Sequence, residues 1–75
     1  MKVTVKLIGH LIQKVGFSER DVEISPGATV SQLIESLGIP SNSPMIITVG
    51  GQGVPPEHPL KEGDRVVISH VYSGG

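Results

Sequence analysis

Few residues of this chain are of types that do chemistry, and most of those stand where their spacing gives chemistry little to work with. The three histidines, His10, His58 and His70, are 48 and 12 residues apart. Metal sites draw on convergent ligands that usually include a local pair, and the chain has no such pair and no cysteine. No metal site is expected, and His70 reads as a surface or partner-contact residue. The lack of cysteine also removes disulfides, iron–sulfur ligation and any thiol nucleophile. Asp21 and Glu23 fall on the outward side of an alternating run, and Glu62 and Asp64 fall in a turn. They read as solvated charge, because a perturbed carboxylate needs burial that a small domain barely offers. Asp64 has a structural task after Gly63, accepting backbone N–H bonds in the turn. Gly50-Gly51-Gln52-Gly53 has the composition of a phosphate loop. That motif requires a helix N-terminus after the glycines, and here Val54-Pro55-Pro56 follows. It reads as a tight turn.

The closing residues Tyr72-Ser73-Gly74-Gly75 remain. Glycine has no Cβ, so the last two present nothing that would obstruct entry into a narrow channel. Four residues extend at most about 13–14 Å, enough to carry a terminal carboxylate into a buried site on another protein. The competing reading is a frayed terminus. Against it, a strong strand runs to within a few residues of the end and supplies a rigid base.

The elements that must hold this tail follow from the pattern of apolar residues. Val3, Val5 and Leu7 alternate with Lys2, Thr4 and Lys6, the period of a half-buried strand. Gly9 to Glu19 reads as a loop folded against the domain edge. Arg20 to Ser25 alternates again, which predicts an antiparallel partner for the first strand. Ser25-Pro26-Gly27 then breaks the chain before a helix. Thr29 and Gln32 have capping-box spacing, and Val30, Leu33, Ile34 and Leu37 form one apolar stripe. Gly38 supplies a left-handed end, Ile39 folds back on Ile34, and Pro40 forbids continuation. Met45 to Val49 reads as a strand covered on both faces or at a crowded edge. Gly50-Gly51 turns it into a short return strand over Gln52 to Val54. Pro55, Pro56 and Pro59 keep the next stretch out of a sheet interior, and Leu60 is a lone apolar anchor. Arg65 to Val71 is the last strand. With the first and last strands side by side and parallel at the centre, these elements make an α+β domain. It is a β-grasp arrangement, a mixed sheet of four to five strands with one helix packed across it. Residues 1–71 form the domain and residues 72–75 a flexible Gly-Gly tail.

Composition sets the outer bounds. Seventy-five residues make one domain with a small core, for which about 4–11 kcal/mol of stability is expected. Six basic and seven acidic residues give a net charge of −1 without a basic cluster, and the aromatics are only Phe17 and Tyr72. Nucleic-acid binding, which needs a positive face and stacking surface, is not expected. No apolar run is long enough for a membrane span. A small domain without cysteines fits the reducing cytoplasm.

In order and length the chain resembles the small sulfur carriers of the ubiquitin-like β-grasp fold. It looks most like the molybdopterin synthase small subunit, with the thiamine sulfur carrier as close kin. The matching pieces are Met1-Lys2-Val3-Thr4-Val5-Lys6-Leu7, Gly27-Ala28-Thr29-Val30 leading into Leu33-Ile34 and Leu37, Leu60-Lys61-Glu62-Gly63-Asp64-Arg65-Val66, and the closing Ser73-Gly74-Gly75. The chain departs from the molybdopterin-synthase pattern at Leu7-Ile8, at Val49-Gly50-Gly51 and at His70-Val71, which leaves the pathway open. The resemblance implies a carrier and co-substrate rather than an enzyme. Its Gly75 carboxylate is adenylated and becomes a thiocarboxylate, Gly74 provides slimness, and Tyr72 and Ser73 set the docking of the tail. It implies no cofactor bound by this chain, ATP being used by an adenylating partner. The other partners implied are a persulfide sulfur donor and a larger synthase or sulfur-acceptor subunit. Rival readings are a ubiquitin-like modifier joined to lysines through Gly75, and an inert interaction module.

Overall fold

The structure, a computed structural model, describes residues 1–40 and 44–70. The elements in chain order are β1 (Lys2–Ile8), α1 (His10–Val15), β2 (Glu19–Glu23), α2 (Val30–Ser36), β3 (Met45–Val49), β4 (Gln52–Gly53) and β5 (Arg65–His70). The five strands form one sheet in the order β2-β1-β5-β3-β4. β1 and β5 are parallel neighbours in its interior, and the other pairs are antiparallel. The expected pairing of first and last strand is therefore present, with β5 as the central strand. Among the described residues no helix is long and apolar enough to cross a membrane.

α2 forms where the local signals place it. Thr29 Oγ1 accepts from the Gln32 amide N–H at 3.3 Å, and Gln32 Oε1 accepts from the Thr29 N–H at 2.9 Å, a reciprocal capping box. At the other end Gly38 takes φ 78°, a conformation costly for any residue with a Cβ. This lets Ile39 N–H reach the Ile34 carbonyl at 3.2 Å and Gly38 N–H reach Glu35 at 3.0 Å, closing the helix in a Schellman motif. Thr29→Ala removes one cap bond and is expected to cost about 1 kcal/mol, read as a lower denaturation midpoint at unchanged m-value.

The core is a single cluster in which Val30, Leu33 and Ile34 of α2 meet Val3, Val5 and Leu7 of β1 and Val66 and Ile68 of β5. Leu60 joins it as the expected anchor, tied by its N–H to the Ala28 carbonyl at 2.8 Å. In the turn before β5, Asp64 Oδ2 accepts the Lys61 N–H at 2.8 Å, the structural task expected of it. Gly50 and Gly51 both have positive φ, 60° and 86°, as a two-residue hairpin between β3 and β4 requires.

Two expectations need correction. The stretch after Gly9 is not only a loop, because it contains α1, so the sheet carries two helices. Six residues make a helix too short to stand alone. What holds it is Leu11, fully buried in the core cluster, and a left-handed Gly16 whose N–H closes on the Ile12 carbonyl at 2.8 Å. The second correction concerns β3, which is not covered on both faces. Both helices feed the same core cluster, so among the described residues no helix covers the opposite face of the sheet, and Ile46 is 55% exposed on it. The other reading, a strand near the sheet edge, fits: only the two-residue β4 lies outside it.

Candidate functional site

The predicted site residues Tyr72, Ser73, Gly74 and Gly75, with Val71 at the expected domain boundary, lie outside the described residues. The structure describes the base from which they depart. β5 is paired on both sides through Ser69, which is in register with Ile8 of β1 and with Ile46 of β3, and its last residue, His70, is in register with Met45 of β3 alone. A strand paired on both sides has no free edge along which to peel, so β5 is held by two ladders through Ser69 and by one at His70.

The register also sets what surrounds that point. Core-facing residues of β1 and β5 are Val3, Val5, Leu7, Val66 and Ile68, so Ile8, Val67 and Ser69 face the other way. On β3 the buried residue is Ile47, which turns Ile46 to that same outer face. Ile8 and Ile46 therefore flank Ser69 in one row, two strand spacings or about 10 Å apart at the backbone. They are the large hydrophobic residues left exposed among the described residues, at 45% and 55%. Val67, in register with Lys6 and Thr48, extends the apolar area toward the middle of the sheet.

The β2 side of the outer face is largely charged. Lys2 and Lys6 of β1 stand in register with Glu23 and Glu19 of β2. Arg65 reaches over β1 to Glu19 with two nitrogen–oxygen contacts of 3.4 Å. With both partners about half exposed, this pair adds about 0–1 kcal/mol to stability. The face is thus zoned, charged at the β2 side and apolar beside the end of β5.

The other candidate groups do not converge. His10 begins α1, His58 lies in the loop after β4, and His70 ends β5. Among the described residues no group of three His, Cys, Asp or Glu side chains is placed to hold a metal. The apolar corner was missed from sequence, although parity carries a signal for it. Ile8 falls in the column of Lys2, Thr4 and Lys6, and Ile46 in the column of Thr48, so each is an apolar residue in an outward position.

Comparison with known proteins gives this architecture its relatives. The Pyrococcus furiosus protein assigned as molybdopterin converting factor subunit 1 superposes with a TM-score of 0.81 at 27% identity, over 93% of this chain and 97% of that one. Subunits of a protein–protein complex of molybdopterin-converting factor subunits 1 and 2 from Helicobacter pylori include a chain matched with a TM-score of 0.67 at 17% identity, over all of both chains. SAMP1 from Haloferax volcanii matches with a TM-score of 0.77 at 16% identity, again over all of both chains. The last two likenesses establish the fold alone, which is the ubiquitin-like β-grasp. No curated protein sequence matches the chain. The ThiS family profile matches residues 5–75, from inside β1 to the final glycine, and the chain belongs to the ThiS family.

Proposed function

We propose that the chain is a sulfur carrier that works through its last residue. A carboxylate is a poor acyl donor at neutral pH, so a partner enzyme first joins the Gly75 carboxylate to AMP from ATP, releasing pyrophosphate. A persulfide sulfur then attacks the carbonyl carbon and AMP leaves. A second thiol of the donor then attacks the donor's own sulfur of that acyl disulfide, forming a disulfide on the donor and releasing a C-terminal thiocarboxylate. Gly75 carries the sulfur, Gly74 keeps the chain narrow, and Tyr72 and Ser73 set the docking of the tail in the acceptor. The chain binds no cofactor of its own and acts in the cytoplasm as a co-substrate, with the catalytic side chains on its partners.

The observation that carries this reading is the family match running through Gly75, five residues beyond a strand fixed on both sides. Sulfur delivery in molybdopterin synthesis is the preferred pathway, supported by the likeness to the Pyrococcus furiosus subunit. A larger acceptor subunit is supported by the relative in the Helicobacter pylori complex of subunits 1 and 2, and by one in the BexX/CysO complex of Amycolatopsis orientalis. The test is the intact mass of protein purified from its own host. A sulfur-for-oxygen gain supports the carrier, lysine-linked adducts support a modifier, and an unaltered mass opposes both.

The apolar corner beside the end of β5 is the docking surface this reading requires, because a threaded tail must be aligned by the body behind it. Ile46→Lys changes an exposed outer-face residue and is expected to shift stability by no more than about 1 kcal/mol. It places a charge where an acceptor packs, so kcat/KM for sulfur transfer is expected to fall about tenfold or more. Transfer at the normal rate would remove the corner from the docking surface.

A further inference from the structure

We propose that the free edge of β2, together with the groove between its C-terminal end and α2, binds an extended basic and apolar segment of a partner protein as an added strand. β2 is the terminal strand of the sheet, and its ladder fixes which backbone groups are free. Ile24 and Met1 exchange both bonds, Ile24 N–H to the Met1 carbonyl at 2.8 Å and Met1 N to the Ile24 carbonyl at 2.7 Å. At the other end the Leu7 N–H reaches the Ser18 carbonyl at 2.8 Å. In an antiparallel pair such bonding recurs at every second residue. Arg20 and Val22 therefore turn their backbone groups to β1, and Asp21 and Glu23 turn theirs outward. Among the described residues no backbone bond meets those outward groups.

The groove opens beside the same end of the strand, with a volume of about 340 Å³. It is lined by Glu23, Ile24 and Ser25 from the strand side and by Ala28, Gln32, Leu33 and Ser36 from α2 and the residue before its cap. A strand added to β2 would alternate between two environments. Side chains on one face would lie over this groove, where Ile24, Ala28 and Leu33 suit apolar residues. Those on the other face would lie beside Glu19, Asp21 and Glu23. These acids form a column flanked on the β1 side by Lys2 and Lys6. Asp21 takes the Thr4 hydroxyl at 2.8 Å, and Glu23 meets the Met1 ammonium at 3.2 Å while staying 74% exposed. Continuing the alternation of sign across the sheet calls for lysine or arginine at every second residue of the incoming strand. The same column opposes a second copy of this chain. Antiparallel pairing of two β2 edges about Asp21 sets Asp21 on Asp21 and Glu19 on Glu23, like charges directly opposed.

The test uses the isotope-labelled full chain and a capped heptapeptide alternating lysine and valine, followed by amide NMR shifts. Saturable binding is expected, with the largest shifts at Asp21, Glu23, Gln32 and Ser36 and slowed hydrogen exchange at the Asp21 and Glu23 amides. Asp21→Pro removes one outward donor and the exposed side-chain bond to Thr4 but no backbone bond to β1, and is expected to weaken binding about tenfold. Ser36→Trp fills the groove from an exposed helix position and is expected to do the same, with undisturbed shifts at Val5 and Ile68 reporting the intact core. A peptide with glutamate for lysine is expected to bind at least about tenfold more weakly. Shifts centred on Ile8 and Ile46, equal affinity for the glutamate peptide, normal binding by Ser36→Trp, absence of saturable binding, or self-association through β2 would each overturn the proposal. Removing Gly75 is expected to leave the binding unchanged, which separates this test from that of the carrier reading.

Discussion

Removal of Gly75 is expected to abolish ATP–pyrophosphate exchange with the cognate activating enzyme, and with it sulfur transfer, while leaving the denaturation midpoint within about 0.5 kcal/mol. Gly75 lies five residues beyond the last residue of β5, and among the described residues none of the core residues comes from beyond Ile68. The shortened chain still ends in glycine, but its carboxylate arrives about 3.3 Å too early. Misplacement by about 1 Å can cost about a hundredfold in rate, so Gly74 is not expected to substitute. Both steps proceeding at normal rates without Gly75 would end the carrier reading.

The largest effect on folding is expected from Leu33→Ala. Leu33 is fully buried, and it sits where α2 crosses β1 and β5 in the single core. Truncating it leaves a cavity and is expected to cost about 2–5 kcal/mol. A domain of this size has about 4–11 kcal/mol in all, so much of its stability rests on this one side chain. The neighbouring exposed Glu35 serves as the control, since Glu35→Ala is expected to change stability by no more than about 0.5 kcal/mol. Chemical denaturation of the two variants decides it. Equal midpoints would mean that the stripe of α2 does not face the sheet.

What was legible in advance follows the range of the forces involved. α2 was legible because its start, stripe and stop are encoded within twelve consecutive residues, Thr29 through Pro40. The β3–β4 turn is likewise local, two adjacent glycines with positive φ. α1 was not legible. Its N-cap is Gly9, with no side-chain cap bond, and its apolar residues are too few to announce a period. Its helical state rests on burying Leu11 among residues distant in the chain, a tertiary effect. The exposed corner escaped for the same reason. Ile8 and Ile46 look like ordinary strand residues until both helices are known to lie on the other face. The tail, Tyr72 to Gly75, lies outside the described residues, and its reading rests on composition, since glycine has no Cβ to obstruct passage through a narrow opening.

The parallel pairing of β1 with β5 has a consequence for the order of events in the cell. The first strand emerging from a ribosome finds its interior neighbour only when residues 65–70 arrive, almost the whole chain later. β2 can pair with β1 early, but a lone two-stranded hairpin is marginal in water. The core cluster also needs Val66 and Ile68, so a nascent chain short of them lacks two of its fully buried side chains. Contacts this distant in sequence make folding slow and close to all-or-none. Completion of the fold thus waits on the synthesis of β5. A chain truncated before residue 65 lacks the central strand and the two core side chains it brings, and is expected to stay unfolded.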